Sequence, residues 1–174
     1  MKKTVIVING AGGVGKDTLC DIAAKHRRVT NLSTIMPIKD IARECGWAGE
    51  KTDRARKFLA DLKAVTVAYN DYPTVWAIER YREFLAGENE VFFMHIREPE
   101  EIGKFVRATG GRARTLLVRG GERVKKSAYG NAADDRVEDY AYDYYFVNGG
   151  SLEDAERDFP LLIERILASE EEDT

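Results

Sequence analysis

At 174 residues the chain is most simply one domain, 1–174, and an apolar fraction of 44% is enough for a packed core. Charged residues reach 33%, yet the signs nearly cancel to a formal −3, which speaks against a nucleic-acid polymer or a membrane surface as partner. Two cysteines, Cys20 and Cys45, make no disulfide framework, and no run approaches the ~20 apolar residues of a membrane helix, so a reduced, cytoplasmic protein is expected.

Along the chain, Thr4 to Asn9 is a short apolar run without alternation, the pattern of a strand buried on both faces. A glycine-rich turn follows, and then a helix from Gly15 to His26 with Leu19, Ile22 and Ala23 on one face and Cys20 as a small core residue. Val29 to Ser33 reads as a second, weak strand. Pro37 to Cys45 reads as a short helix with proline in its first turn. Thr52 to Tyr69 carries Ala55, Phe58, Leu59, Leu62, Val65 and Tyr69 at helical spacing, which predicts a core-facing stripe; Tyr69 and Tyr72 are read as core residues before base-stacking ones. Thr74, after Pro73, is the expected cap of a helix running to Leu85 and stopping at Gly87.

Val91 to Ile96 is the third strand, Pro99 to Ala108 a helix, Thr115 to Val118 the fourth strand and Tyr144 to Val147 the fifth. Ser151 caps a last helix to Leu167, with Glu153 and Asp154 at its positive end. Pro160 predicts a kink or break there, and the acidic tail Ser169 to Thr174 is expected to fray. Strands alternating with helices predict an α/β fold: a three-layer α/β/α domain around a five-stranded parallel sheet. Ligands of such sheets sit at the carboxyl ends of the strands, which gathers Gly10 to Thr18, the segment after Ser33, Arg97, Arg119 and Asn148 around one crevice.

Gly10, Ala11, Gly12, Gly13, Val14, Gly15 and Lys16 have the spacing of a phosphate-binding loop between a strand and a helix. Its inward N–H groups and the positive helix end would cradle a nucleoside triphosphate, with Lys16 reaching the β and γ phosphates. Asp17 stands where Ser or Thr is usual, and Thr18 comes one later. Thr18 offers a hydroxyl to a phosphate oxygen or a metal, and Asp17 a carboxylate to a magnesium-bound water or to the acceptor side. A nucleoside triphosphate with Mg2+ is therefore the expected ligand.

Gly15-Lys16-Asp17-Thr18 after a short strand resembles the phage-type deoxynucleoside monophosphate kinases and the related phosphomevalonate and dephospho-CoA kinases. Met36-Pro37-Ile38-Lys39 falls where those monophosphate kinases carry Asp-Pro-Leu-Lys, and His95-Ile96-Arg97-Glu98-Pro99-Glu100-Glu101 lines up with their Asp-Val-Arg-Phe-Pro-Asn-Glu. Asn148-Gly149-Gly150-Ser151-Leu152 is similar to their Asn-x-Gly-Ser-Leu turn. The resemblance implies transfer of the γ-phosphoryl group of ATP to a small phosphorylated acceptor, most simply a nucleoside or deoxynucleoside monophosphate, by a monomer or homodimer. It also implies an acceptor region at about 34–72 and a lid-like region at about 119–140.

On that reading Lys16, Asp17, Arg97 and Arg119 serve catalysis, and Arg119 and Asn148 join the nucleotide side. Lys39, Arg97 and Arg123 meet the acceptor, because forked or cationic donors suit an anionic phosphate. Asp17 and Thr18 are the metal candidates. A pair with Glu100 or Glu101 is the structural alternative for Arg97, and a solvated helix face the alternative for Arg54, Arg56 and Lys57. The sequence departs from the family at Met36 and at His95, where acidic residues are expected. A strand-end histidine held by structural hydrogen bonds is the plain reading of His95. Another small acceptor, of the dephospho-CoA or phosphomevalonate type, and a non-catalytic nucleotide-binding module are the alternatives.

Overall fold

β1 (Thr4–Asn9) is buried along all six residues because it runs down the middle of the sheet. The structure is a computed structural model that describes residues 2–121 and 136–172. Five parallel strands lie in the order β2-β3-β1-β4-β5, with β2 at Val29–Ser33, β3 at Val91–His95, β4 at Arg114–Gly120 and β5 at Tyr144–Asn148. Ile8 pairs with His95 on one side of β1 and with Leu116 on the other. The strand order reverses at β1, so the crevice of an open α/β sheet lies at the carboxyl ends of β1, β3 and β4.

Helices cover both faces. Ile6, Ile8, Val91, Phe93, Leu116 and Val118 pack against α1 (Lys16–Ala24) and α6 (Leu152–Glu172). Val5, Val7, Phe92, Met94 and Leu117 pack against α4 (Tyr72–Ala86) and α5 (Pro99–Ala108). The expected three-layer α/β/α architecture is therefore present. Strand residues with apolar side chains on both faces are what this layering demands.

Several local expectations are corrected. The stripe on α3 (Asp53–Asn70) is not core: only Ala55 is buried, while Phe58, Val65 and Tyr69 are 36%, 60% and 86% exposed. The reason is position: α3 rests mainly on α2 (Met36–Glu44) and α4 rather than on the sheet, so among the described residues one side of its apolar stripe stays exposed. Tyr72 is half-buried at the start of α4. Thr74 does not cap α4, which begins two residues earlier; Asp71, in the left-handed region at φ 52°, turns the chain from α3 into α4, and Thr74 is buried in the first turns.

The last helix is not broken at Pro160, although residue 160 has no N–H for the carbonyl of Glu156. Ser169 is not frayed: its hydroxyl bonds to the Tyr144 hydroxyl at 2.8 Å and to the carbonyl of Ile166. The Ser151 cap is as expected, with Ser151 Oγ accepting from the Asp154 amide at 3.1 Å and Asp154 accepting from the Ser151 amide at 2.9 Å.

Candidate active site

The loop from Gly10 to Gly15 leaves β1 under tight constraints. A Cβ on Gly10 would lie 2.4 Å from the carbonyl oxygen of Val118 on β4. Gly15 has φ 89° and serves as the N-cap of α1; a Cβ there would lie 2.7 Å from Asn148 Nδ2. A glycine cap carries no side-chain oxygen, so the first amides of α1 are left for an anion. Val14 is buried and anchors the loop from below. Lys16 Nζ donates to the carbonyls of Gly10 at 2.6 Å and Ala11 at 3.1 Å, which folds the cation over its own loop. Gly12 and Gly13 lie along the outer rim, and Asp17 and Thr18 are exposed on the first turn of α1.

Two asparagines lock this loop to the rest of the sheet. Asn148, at the end of β5, donates to the carbonyl of Val14 at 2.8 Å, so it braces the loop. Asn9, at the end of β1, was legible only as the polar end of an apolar strand, yet it is 1% exposed and makes three bonds. Its Oδ1 accepts from the Gly10 amide at 2.8 Å, and its Nδ2 donates to the Arg97 carbonyl at 3.0 Å and to the Tyr142 hydroxyl at 2.9 Å. Burial raises the Tyr142 phenol to about 12, so its proton stays and is donated to the Val137 carbonyl at 2.8 Å.

His95 ends β3 beside the loop. Its Nε2 lies 2.8 Å from Asn31 Oδ1, 3.7 Å from Cys20 Sγ and 3.8 Å from Asp17 Oδ1. Burial pushes its pKa down to about 4 despite the upward pull of Asp17, with Lys16 and Arg97 pushing further down. A neutral imidazole therefore donates its one N–H, at Nε2, to Asn31, and the strand end carries no anionic oxygen where the resemblance expects a carboxylate. Burial also raises the Cys20 thiol, which stays protonated.

Arg97 follows β3 and is exposed at the mouth of the crevice. The glutamates after it face other cations: Lys63 of α3 lies 2.6 Å from Glu98 and 3.1 Å from Glu101, and Arg136 lies 2.7 Å from Glu100. Lys39 sits half-buried on α2, and Met36 is exposed at its start. Arg56 and Lys57 pair with Asp53 and Asp61 on the solvated side of α3, and Arg54 is exposed there. Arg119 is held by Glu138 at the end of β4, and Arg123 lies outside the described residues. The structure thus places Asp17 beside His95, with the charges of Lys16 and Arg97 also felt at that histidine, and turns Arg119 toward Glu138.

Among the described residues there is no group of three or more His, Cys, Asp or Glu side chains suited to a metal ion. Asp17 and Thr18 nevertheless fit Mg2+, which keeps several waters and takes most of its other ligands from substrate phosphates. No helix among the described residues is long and apolar enough to cross a membrane.

No family model matches the chain, and no curated protein is significantly similar to it in sequence. Solved structures do share its fold. A gluconokinase from Sinorhizobium meliloti 1021 superposes with a TM-score of 0.56 at 14% identity, over 98% of this chain and 97% of that one. A candidate kinase from Chloroflexus aurantiacus j-10-fl superposes with a TM-score of 0.54 at 12% identity, over 99% of this chain and 98% of the other. At such identities the likeness is one of architecture, and it extends from end to end of the domain.

Proposed function

We propose that the chain is an ATP-dependent small-molecule kinase whose favoured acceptor is a nucleoside or deoxynucleoside monophosphate. The observation that carries this reading is a glycine-capped helix terminus with Lys16 folded over its loop, tied through Asn9 to the main chain of Arg97. Lys16 would leave the Gly10 and Ala11 carbonyls for the β and γ phosphates, and Arg97 would hold the acceptor phosphate opposite. The bond from the γ-phosphorus to the bridging oxygen of ADP breaks as a bond to an acceptor phosphate oxygen forms. An acceptor that is already anionic asks for positioning and charge neutralisation rather than a base. Mg2+, when bound, adds neutralising charge; Asp17 through water and Thr18 through its hydroxyl are the side chains that would hold it. We read 34–72 as the acceptor side, with Lys39 on its inner helix, and 119–140 as the segment that brings Arg119 and Arg123 to the phosphates.

The neutral, hydrogen-bonded His95 favours one second reading, a nucleotide-binding module without phosphoryl transfer. The two separate in a coupled ADP-release assay run over nucleoside monophosphates and coenzyme A precursors. Acceptor-dependent ADP release supports the kinase, and tight ATP binding without acceptor-dependent release supports the module. Lys16→Ala should weaken ATP binding by about 10- to 100-fold, the loss of a charge-assisted bond to phosphate. Unchanged ATP affinity in that variant sinks both readings.

A further inference from the structure

Asn9 is an anomaly of packing. The other five residues of β1 make an unbroken buried run, and an apolar residue in the sixth position would complete it. A buried carboxamide is costly unless all its hydrogen bonds are made. Here one acceptor and both donors of the side chain are used, and they go to three separate parts of the chain. One is the first amide of the phosphate loop, one is the carbonyl of Arg97, and one is the Tyr142 hydroxyl.

From Tyr142 the path divides. Its hydroxyl has a single proton, which goes to the carbonyl of Val137. Its ring meets the Tyr145 ring edge-on at 6.1 Å, and Tyr145 carries the Arg119 guanidinium 4.6 Å above its face. One buried side chain therefore touches the loop, the backbone of one arginine placed at the crevice and, through Tyr142, the surroundings of the other. Hydrogen bonds of 2.8 to 3.0 Å inside a packed core leave little slack, so movement at Gly10 has to be taken up by its partners.

We propose that Asn9 and Tyr142 are positioning residues: Asn9 keeps the main chain at Arg97 in register with the phosphate loop, and Tyr142 passes that register on to Val137. The inference rests on the reading that Gly10 to Lys16 binds ATP. It assigns these residues no contact with substrate; they set where the contacting groups stand. A side chain that only plugs the core would stabilise the fold without linking the response of one segment to that of another.

The test is a titration of the 15N-labelled full chain with ATP and Mg2+, followed by backbone amide shifts. The Gly10 to Thr18 amides report filling of the loop. The Glu98 and Glu138 amides share a peptide group with the carbonyls of Arg97 and Val137, and so report those two hydrogen bonds. In the wild type, Glu98 and Glu138 should move with the same midpoint as the loop. In Tyr142→Phe, the Glu138 response should fall at least about fivefold while the loop and Glu98 respond as before. In Asn9→Ala both remote responses should fall.

Loop shifts in the wild type without movement of Glu98 and Glu138 overturn the proposal, and this result needs no variant to fold. A full-size Glu138 response in Tyr142→Phe overturns the part given to Tyr142, because the signal then bypasses the hydroxyl. Lower stability of Tyr142→Phe with an unchanged Glu138 response marks a purely structural role. Loop amides that ignore ATP overturn this inference together with the nucleotide-binding reading, and their silence tells that failure apart from the others.

Discussion

Glu138 grips Arg119 through two guanidinium nitrogens, at 2.9 and 2.7 Å, while the Tyr145 ring lies against the same guanidinium at 4.6 Å. The arginine we propose for phosphate is thus matched to a carboxylate and stacked on an aromatic face. Both members of the pair are about half-exposed, so the pair is weak enough to exchange partners. Glu138→Gln removes the competing charge and should tighten ATP binding by about two- to fivefold, with thermal stability nearly unchanged. Binding calorimetry at low and high salt checks this; an affinity at or below wild type would show that Arg119 does not exchange Glu138 for phosphate.

Gly10 is limited twice, by its backbone at φ 154° and by the neighbouring strand. Gly10→Ala would press a methyl group into the Val118 carbonyl, so either β4 or the loop must shift. We expect a loss of about 1–3 kcal/mol in unfolding free energy, together with weaker ATP binding. Gly13→Ala is the comparison that isolates crowding, since it carries backbone strain at φ 80° but a Cβ there meets nothing within 4 Å. Urea unfolding of both variants decides it.

The pH dependence of stability should look flat for a specific reason. Burial pushes the Glu101 carboxyl up to about 7 from an ordinary value of 4.5, against the pull of Lys63 and with the help of Glu98. Between those values the folded chain holds the extra proton, so this group's contribution falls as pH rises. His95 acts in the opposite sense. Its folded value of about 4 lies below the ordinary 6.5, the unfolded chain holds the extra proton between them, and stability rises with pH. From about pH 4.5 to 6.5 the two offset. Glu101→Gln should unmask a rise in stability from pH 4.5 to 6.5, and His95→Gln a fall from pH 4.5 to 7, each of order 2 kcal/mol. Urea midpoints at pH 5 and pH 6.5 test both slopes, and parallel curves for the two variants would refute the assignment.

The exposed side of α3 predicts tolerance. Val65→Ala and Tyr69→Ala should each cost under ~0.5 kcal/mol, as surface changes do. Phe159→Ala should cost about 3–5 kcal/mol, because Phe159 is fully buried and packs on Phe93 and Phe146. Thermal or urea unfolding of the three variants separates the two groups.

That contrast shows what was legible in the sequence. β1, β3 and β4 announce themselves as unalternating apolar runs because they are covered on both faces, and their order in the chain implies the layers. The loop was legible because its glycines and lysine follow one strand at fixed spacing. The stripe on α3 misled because periodicity tells that a helix has an apolar side but not whether anything stands against it. Asp71 misled the boundary of α4, because a single left-handed residue joins α3 directly to α4, and an aspartate does not announce that conformation as a glycine would. The bonds of Asn9 were invisible because they join residues 88 and 133 positions away, and no local pattern records such a meeting.

The central place of β1 has a further consequence for how the molecule opens. Its amides are hydrogen-bonded between β3 and β4, so the root of the phosphate loop should exchange hydrogen with solvent only through global unfolding. α3, resting mainly on α2 and α4, should exchange through smaller excursions of far lower cost. The molecule would then carry a slow-exchanging cradle beside a fast-opening arm, with the ion pairs from Lys63 to Glu98 and Glu101 as the contacts that must break first.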